Sequence, residues 1–425
     1  MAESNPHKFL DSQLLKEVRD RFLYADEDPL SGRRVYLEAS GGSLRLKSVV
    51  DTITKEASLP DELFRFNPAS DYVVETYKKG LEDVKLFLGA KSGVIMPSNS
   101  ATQTIFRVVE AVTANIPGAN VVTTEIEHPA VLSSTQYYAG VAGKELRIAG
   151  FDRETSSVPA AAVLEKIDAG TCLLAIQHGS NQTGAINDVK TIIREARKIK
   201  PDLYVLVDAV QYAPHGAIDV EDYGADAYAF GPYKAYCVKG IGYCHLSDRL
   251  AELPHAKLLD KPKTDWVLGS PAHMMSACWS ATVDYLCWLG SHFTESADRR
   301  AQVVAAKAAI HGHMKALLHR ALHGSGGVKG LLDMDHVTVC GMGDAAAERL
   351  CIFLFRLAGM DSSTAVGRYN REQGIRLAAR VKDAYSTYPL NALGWPDAVR
   401  LSAAHYNTPG EIDSFLAATL ALKDA

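Results

Sequence analysis

The feature that most constrains this chain is a recurring alternation of short apolar runs with amphipathic stretches of helical period. Residues 93–96, 120–124, 172–177, 204–208, 227–230 and 241–245 read as strands, and residues 71–88, 100–112 and 189–199 read as helices between them. Strand–helix–strand order repeated in this way predicts an α/β architecture built on a mostly parallel sheet. In such a sheet the reactive groups gather at the carboxyl ends of the strands.

After about residue 275 the pattern changes. A long helical stretch over 298–323, rich in Ala, Lys, Arg and His, ends at a Gly-Ser-Gly-Gly turn. A strand over 336–340, a helix over 345–358, a further strand pair and a closing helix over 409–421 are expected beyond it, which together make a smaller α+β domain. The expected division is an N-terminal segment, 1–32, packing on the small domain, a large domain over 33–280 and a small C-terminal domain over 281–425. The net charge of −5 gives no electrostatic reason for a nucleic acid or an anionic membrane as partner. No uncharged apolar run reaches the roughly 18 residues of a spanning helix, and the N-terminus is charged where a secretory signal needs an apolar core. The seven cysteines are odd in number and scattered, with no Cys-x-x-Cys pair. They read as reduced, mostly buried thiols of a cytoplasmic protein. His311, His313, His319 and His323 share one helical stretch without Cys or Asp ligands beside them, so they read as surface or interface residues and no metal is expected. The turn at Gly341-Met-Gly343 is read as a tight strand–helix connection, because no acidic strand end comes after it at the spacing a dinucleotide site needs.

Two strand ends carry the chemistry. Tyr204-Val-Leu-Val-Asp208 ends in an acid, and Phe230-Gly-Pro-Tyr-Lys234 places a lysine just past the second strand. Alone, the acid reads equally well as a helix cap, and the lysine as a solvated loop residue. Together at one sheet edge they match the needs of a pyridine-aldehyde cofactor: a carboxylate to keep the ring nitrogen protonated, and an amine for the aldehyde. Burial or a neighbouring positive charge would lower the lysine pKa enough for amine exchange.

Further segments fall in an order that resembles the class V-fold aminotransferase family, in the branch of cysteine desulfurases and isopenicillin epimerase-like proteins. Tyr36-Leu-Glu-Ala-Ser40-Gly41-Gly-Ser43 resembles the family's opening segment on the substrate side of the site. Ser100-Ala101-Thr102-Gln103 stands where the family has its phosphate-binding turn, and Glu127-His128-Pro-Ala resembles the segment whose histidine stacks on the cofactor ring. Ser180-Asn181-Gln-Thr-Gly184 resembles the turn whose asparagine lies near the ring hydroxyl, and Asp208 with Gln211 resembles the family's Asp-x-x-Gln. Arg400-Leu-Ser-Ala-Ala-His-Tyr-Asn-Thr408 resembles the segment whose arginine clamps the substrate α-carboxylate. The resemblance implies fold type I with pyridoxal 5′-phosphate held as a Schiff base on Lys234. It implies catalytic roles for Lys234, His128 and Asp208, and cofactor contacts from Ala101, Thr102, His128, Asn181, Asp208, Gln211, Tyr233 and Lys234. Arg400, Ser40 and Gly41 would meet the substrate, an amino acid. It also implies a homodimer in which Ser270, from Gly269-Ser270-Pro271, reaches the phosphate across the interface.

The chain departs from the family at three places. Gly231-Pro232-Tyr233 precedes the lysine where the family has Ser-Gly-His, so the phosphate loses a hydroxyl and an imidazole that Tyr233 replaces in part. Gly269-Ser270 stands for the family's Gly-Thr. The segment 374–385, where desulfurases carry their persulfide cysteine, has none, and the last cysteine in the chain is Cys351. Sulfur transfer therefore lacks its nucleophile. The same segment offers Arg376, Arg380 and Lys382, which read either as solvated loop charges or as partners, Arg376 and Arg380 foremost, for a second acidic group such as an aspartate β-carboxylate. The expected activity is a β-lyase or a decarboxylative aldol reaction of the kind known in fungal enzymes of this fold: L-aspartate and an aldehyde giving a γ-hydroxy amino acid and carbon dioxide. Cysteine desulfurase, selenocysteine lyase, epimerase and aminotransferase activities stand as alternatives.

Overall fold

The computed structural model describes residues 8–60, 63–270, 272–342 and 348–424. Seven strands form the main sheet: β1 (Val94–Ser98), β2 (Asn120–Thr124), β3 (Glu145–Ala149), β4 (Thr171–Gln177), β5 (Tyr204–Asp208), β6 (Ala227–Phe230) and β7 (Gly242–Leu246). Their order is β1-β7-β6-β5-β4-β2-β3, and β7 alone runs opposite to the other six. β2, β4, β6 and β7 are buried along their whole length, as expected of strands covered on both faces. A second sheet, in the order β8-β9-β11-β10, comprises β8 (Val337–Val339), β9 (Ile352–Leu357), β10 (Ala378–Arg380) and β11 (Ala398–Ser402). All of its pairings are antiparallel.

The helices that matter here are α1 (Ser12–Asp20), α2 (Pro68–Leu88), α3 (Ala101–Asn115), α4 (Pro129–Val141), α5 (Val189–Ile199), α6 (His273–Gly290), α7 (Arg299–His323) and α8 (Pro409–Ala421). Their starts are written in the sequence. Ser100 accepts a hydrogen bond from the Gln103 N–H to cap α3, and Asp298 caps α7 through the Ala301 N–H. Thr408 and Glu411 form a reciprocal capping box at α8. The N-terminal segment contacts α7 and α8: Arg19 pairs with Glu411 at 3.2 Å, and the Leu10 N–H donates to His313 Nδ1.

Several expectations need correcting. The helix over 345–358 is not found: residues 343–347 lie outside the described residues, and 352–357 form the central strand β9. The strand–helix turn expected at Gly341-Met-Gly343 runs into residues 343–347 and lies outside the described ones. His313 is not a surface residue. It is fully buried, with Nδ1 accepting from Leu10 in the N-terminal segment and Nε2 on the Asn407 carbonyl just before α8, so the ring ties both segments to α7. Residue 280 falls within α6, so a boundary there would cut a continuous helix. All seven cysteines are free and buried. No described helix is long and apolar enough to cross a membrane.

Candidate active site

A cavity of about 330 Å³ opens at the carboxyl ends of β4, β5 and β6, where the first turn of α3 also points. Its wall includes Ala101, Thr102, His128, Asn181, Asp208, Gln211, Tyr233 and Lys234. These eight positions are widely spread in sequence, and the parallel sheet is what brings them to one edge.

Asp208 is the last residue of β5. One carboxylate oxygen accepts the Val210 N–H at 3.0 Å, and burial raises its pKa to about 6, against the opposing pull of that hydrogen bond and of Lys234. A protonated ring nitrogen would supply the countercharge that burial denies it. Lys234 ends a short 3₁₀ turn after β6 and is buried. Its ammonium donates to the carbonyl oxygen of Ser40. Burial first, and then the Arg400 charge, bring its pKa down to about 7, so a large share is the free, nucleophilic amine near neutrality. The turn is strapped to the opening segment, since Ser43 Oγ donates to the Tyr233 carbonyl and accepts from the Tyr236 N–H.

His128 caps α4. Its Nδ1 accepts the Ala130 N–H at 3.1 Å, which leaves the ring proton on Nε2. Burial, helped by the Lys234 charge, lowers its pKa to about 4, so the ring is neutral near pH 7. Glu127 beside it is fully buried, holds the Thr124 hydroxyl at 2.6 Å and has its pKa raised to about 8, by burial above all and by the Asp208 charge in part. At the other end of the wall the N–H groups of Ala101 and Thr102, in the first turn of α3, have no partner within the helix and suit an anion. Gln211 Oε1 is buried with no hydrogen-bond donor. An amine, a buried acid, a neutral imidazole, an anion-binding helix start and an orphaned acceptor together fit pyridoxal 5′-phosphate.

The residues expected to meet substrate lie behind this wall. Arg400, on β11, is buried; its Nη1 donates to the Asn181 carbonyl at 2.9 Å and its Nη2 pairs with Glu38 Oε1 at 2.6 Å. The Asn181 turn closes against β9 because Gly184 adopts φ +76°, and any Cβ there would collide with the Ile352 carbonyl. Gly41 leaves the room that the Glu38 carboxylate occupies. Ser40 is buried with an unpartnered Oγ, and its N–H donates to Ser402 Oγ. Arg380 pairs its guanidinium with Ser386 Oγ and lies 4.0 Å from Asp383. The register of β10 on β11 sets Arg380 opposite Ala398 and Ala378 opposite Arg400, so both arginines share one face of the sheet as diagonal neighbours. Arg376 sits in the two-residue pair Ile375–Arg376 against Val35–Tyr36, with a buried Nε that has no acceptor. Ser270 is exposed and is not part of the cavity wall.

Four residues escaped the sequence reading. Tyr385 lines the cavity, its ring centroid 6.2 Å from that of His128, and its carbonyl accepts from Gln182 Nε2. It closes the very segment in which desulfurases carry their cysteine, and an aromatic among polar loop residues was the available signal. Glu38 stands inside the quoted opening segment. Lys239 and Gln177 also line the wall. No described cysteine does.

A family model described as aminotransferase class-V matches residues 35–261. The chain is 25% identical to the aminotransferase-like protein FGM3 of Gibberella zeae, over 95% of this chain and 97% of that one. It is 26% identical to a cysteine desulfurase of Serratia proteamaculans, over 79% and 77% of the two. The apo structure of a cysteine desulfurase from Thermococcus onnurineus NA1 superposes with a TM-score of 0.81 at 20% identity, covering 96% of this chain and 98% of that one. At that identity the likeness shows the fold.

Proposed function

Because this chain belongs to the class V aminotransferase family, and so is a pyridoxal 5′-phosphate enzyme, we propose that it removes the β-carboxylate of an acidic L-amino acid, L-aspartate in the simplest case. The carbon dioxide leaves, and the remaining three-carbon unit takes either a proton, giving alanine, or an aldehyde, giving a γ-hydroxy amino acid. Bound at Lys234, the cofactor would supply the electron sink that lets a bond at the β-carbon break.

The observation that carries the proposal is the absence of a thiol from the wall among the described residues, with Tyr385 in its place. The nearest cysteines in sequence, Cys340 and Cys351, are buried, and burial raises both their pKa values. Neither is the exposed thiolate that persulfide chemistry needs. The paired arginines give a second argument. Arg400 would hold the α-carboxylate, and Arg380, its diagonal neighbour, would orient the β-carboxylate so that its bond to Cβ lines up with the electron sink. Lys234 and neutral His128 would move protons at the amine and at the carbon left behind, and Asp208 would hold the proton on the ring nitrogen. Ser270, exposed on its own subunit, would reach the phosphate of a second copy in a cytoplasmic homodimer.

The test is to mix the purified holoenzyme with L-aspartate and with L-cysteine and to measure carbon dioxide, alanine and sulfide, with and without an aldehyde. Carbon dioxide from aspartate is expected, and Arg380→Gln should depress it while sparing binding of alanine. Sulfide from cysteine with no carbon dioxide from aspartate would replace this proposal by the C–S lyase that several relatives are named for.

A further inference from the structure

The cavity has an anion-binding end without an obvious cation. The phosphate of the cofactor assigned above is a dianion, and the first turn of α3 offers only N–H groups and the fractional positive charge of a helix start. Lys234 is consumed by the aldehyde, His128 is neutral, and Asp208 adds a negative charge. Among the described residues of the wall, one cation is left: Lys239.

Its placement is set by the chain around it. Gly242 begins β7 with its Cα pressed against the backbone of Ser100 and Ala101, so close that a Cβ would overlap both. The stretch 239–242 is thereby packed directly on the start of α3. Gly240, at φ +111°, makes the bend that brings Lys239 to the cavity edge. The Lys239 ammonium is 5.8 Å from the centre of the Tyr233 ring, and the Lys234 ammonium is 4.9 Å from the same centre. The two lysines thus stand by one ring, and both line the cavity that the start of α3 also lines. Among the described residues Lys239 makes no ion pair, so its charge is available.

We propose that Lys239 is the counter-cation of the cofactor phosphate, occupying from the strand-β7 side the electrostatic role that Gly231-Pro232-Tyr233 cannot fill. The inference rests on the cofactor assignment, and the experiment separates the two. Apo-protein is prepared as wild type, Lys239→Met and Lys239→Arg, and dissociation constants are measured by absorbance for pyridoxal 5′-phosphate and for pyridoxal, which lacks the phosphate. One charge-assisted contact is worth about a tenfold to hundredfold change in affinity. Lys239→Met should therefore weaken pyridoxal phosphate by about that factor and leave pyridoxal unchanged, while Lys239→Arg keeps most of the affinity. The phosphorus resonance of bound cofactor should also titrate at higher pH in Lys239→Met than in wild type. Equal losses for both aldehydes, or no loss for either, would overturn the role of Lys239. A wild-type protein that forms no borohydride-reducible adduct on Lys234 would overturn the cofactor assignment instead.

Discussion

The pair between Arg400 and Glu38 makes a sharp expectation. A carboxylate can engage a guanidinium by two nitrogens either through Nε with Nη2 or through Nη1 with Nη2, and both approaches draw on Nη2, which already holds Glu38 Oε1 at 2.6 Å. Nη1 is given to the Asn181 carbonyl, and Nε is buried without an acceptor. If Arg400 clamps the substrate carboxylate as proposed, the protein keeps its own carboxylate at the docking position, and binding exchanges one for the other. The Arg400 side chain is only 4% exposed and that of Glu38 21%, so neither is well solvated once separated. Replacing Glu38 by Gln removes the competing charge and keeps the shape. A hydrogen bond between charged groups is worth about 1.5–3 kcal/mol, so a carboxylate ligand should bind about 10- to 100-fold tighter to the variant. The free variant should melt lower than wild type, because a buried guanidinium has lost its partner, and saturating ligand should restore much of the difference. Succinate suits the measurement, since it has both carboxylates and no amine to react with the cofactor; calorimetry on the holoenzyme gives its dissociation constant. An unchanged or weaker succinate affinity in Glu38→Gln, at normal cofactor loading, would refute the exchange. The Arg400→Gln variant should lose succinate binding whichever residue stands at 38.

Lys234→Ala should abolish the imine absorbance while the apo-protein folds normally; a borohydride label found on Lys239 in wild type would reassign the amine. Asp208→Asn should leave the imine in place and lower turnover by well over the factor of ten or so that one charge-assisted hydrogen bond carries; near-normal rates would mean that another group protonates the ring. Glu127 has its pKa raised from the ordinary 4.5 to about 8, so between those values the folded protein holds a proton that the unfolded chain has released. Stability from this group is thus lost as pH rises through that window. Melting temperatures of apo-protein between pH 5 and 8 should fall less steeply in Glu127→Gln than in wild type, and parallel slopes would show that Glu127 titrates normally.

How far such a site can be read from sequence depends on where each residue stands. The strands at 120–124, 204–208 and 227–230 are legible to the residue because strands of a parallel sheet covered on both faces are continuous apolar runs cut off by turns. β3 escapes because it is the edge strand: Glu145-Leu-Arg-Ile-Ala149 carries charges on solvent-facing positions and has no apolar run to find. α6 escapes for the opposite reason, since it is buried nearly all round and so shows no polar face to set a helical period. The run Ile352–Leu357 reads as part of a helix because a short apolar stretch fits both periods, and only its place between β8 and β11 decides the matter. The same distinction divides the site. Asp208 ends one central strand and Lys234 stands just past the next, so the pair is legible in sequence as two groups at one sheet edge. Glu38 and Tyr385 cannot be read that way. Glu38 matters because Arg400, 362 positions away, lies opposite it, and Tyr385 because Gln182 holds its carbonyl from across 203 residues. The groups proposed to hold the cofactor ring are local to the parallel sheet, whereas those proposed to meet substrate depend on the meeting of the opening segment with the antiparallel sheet.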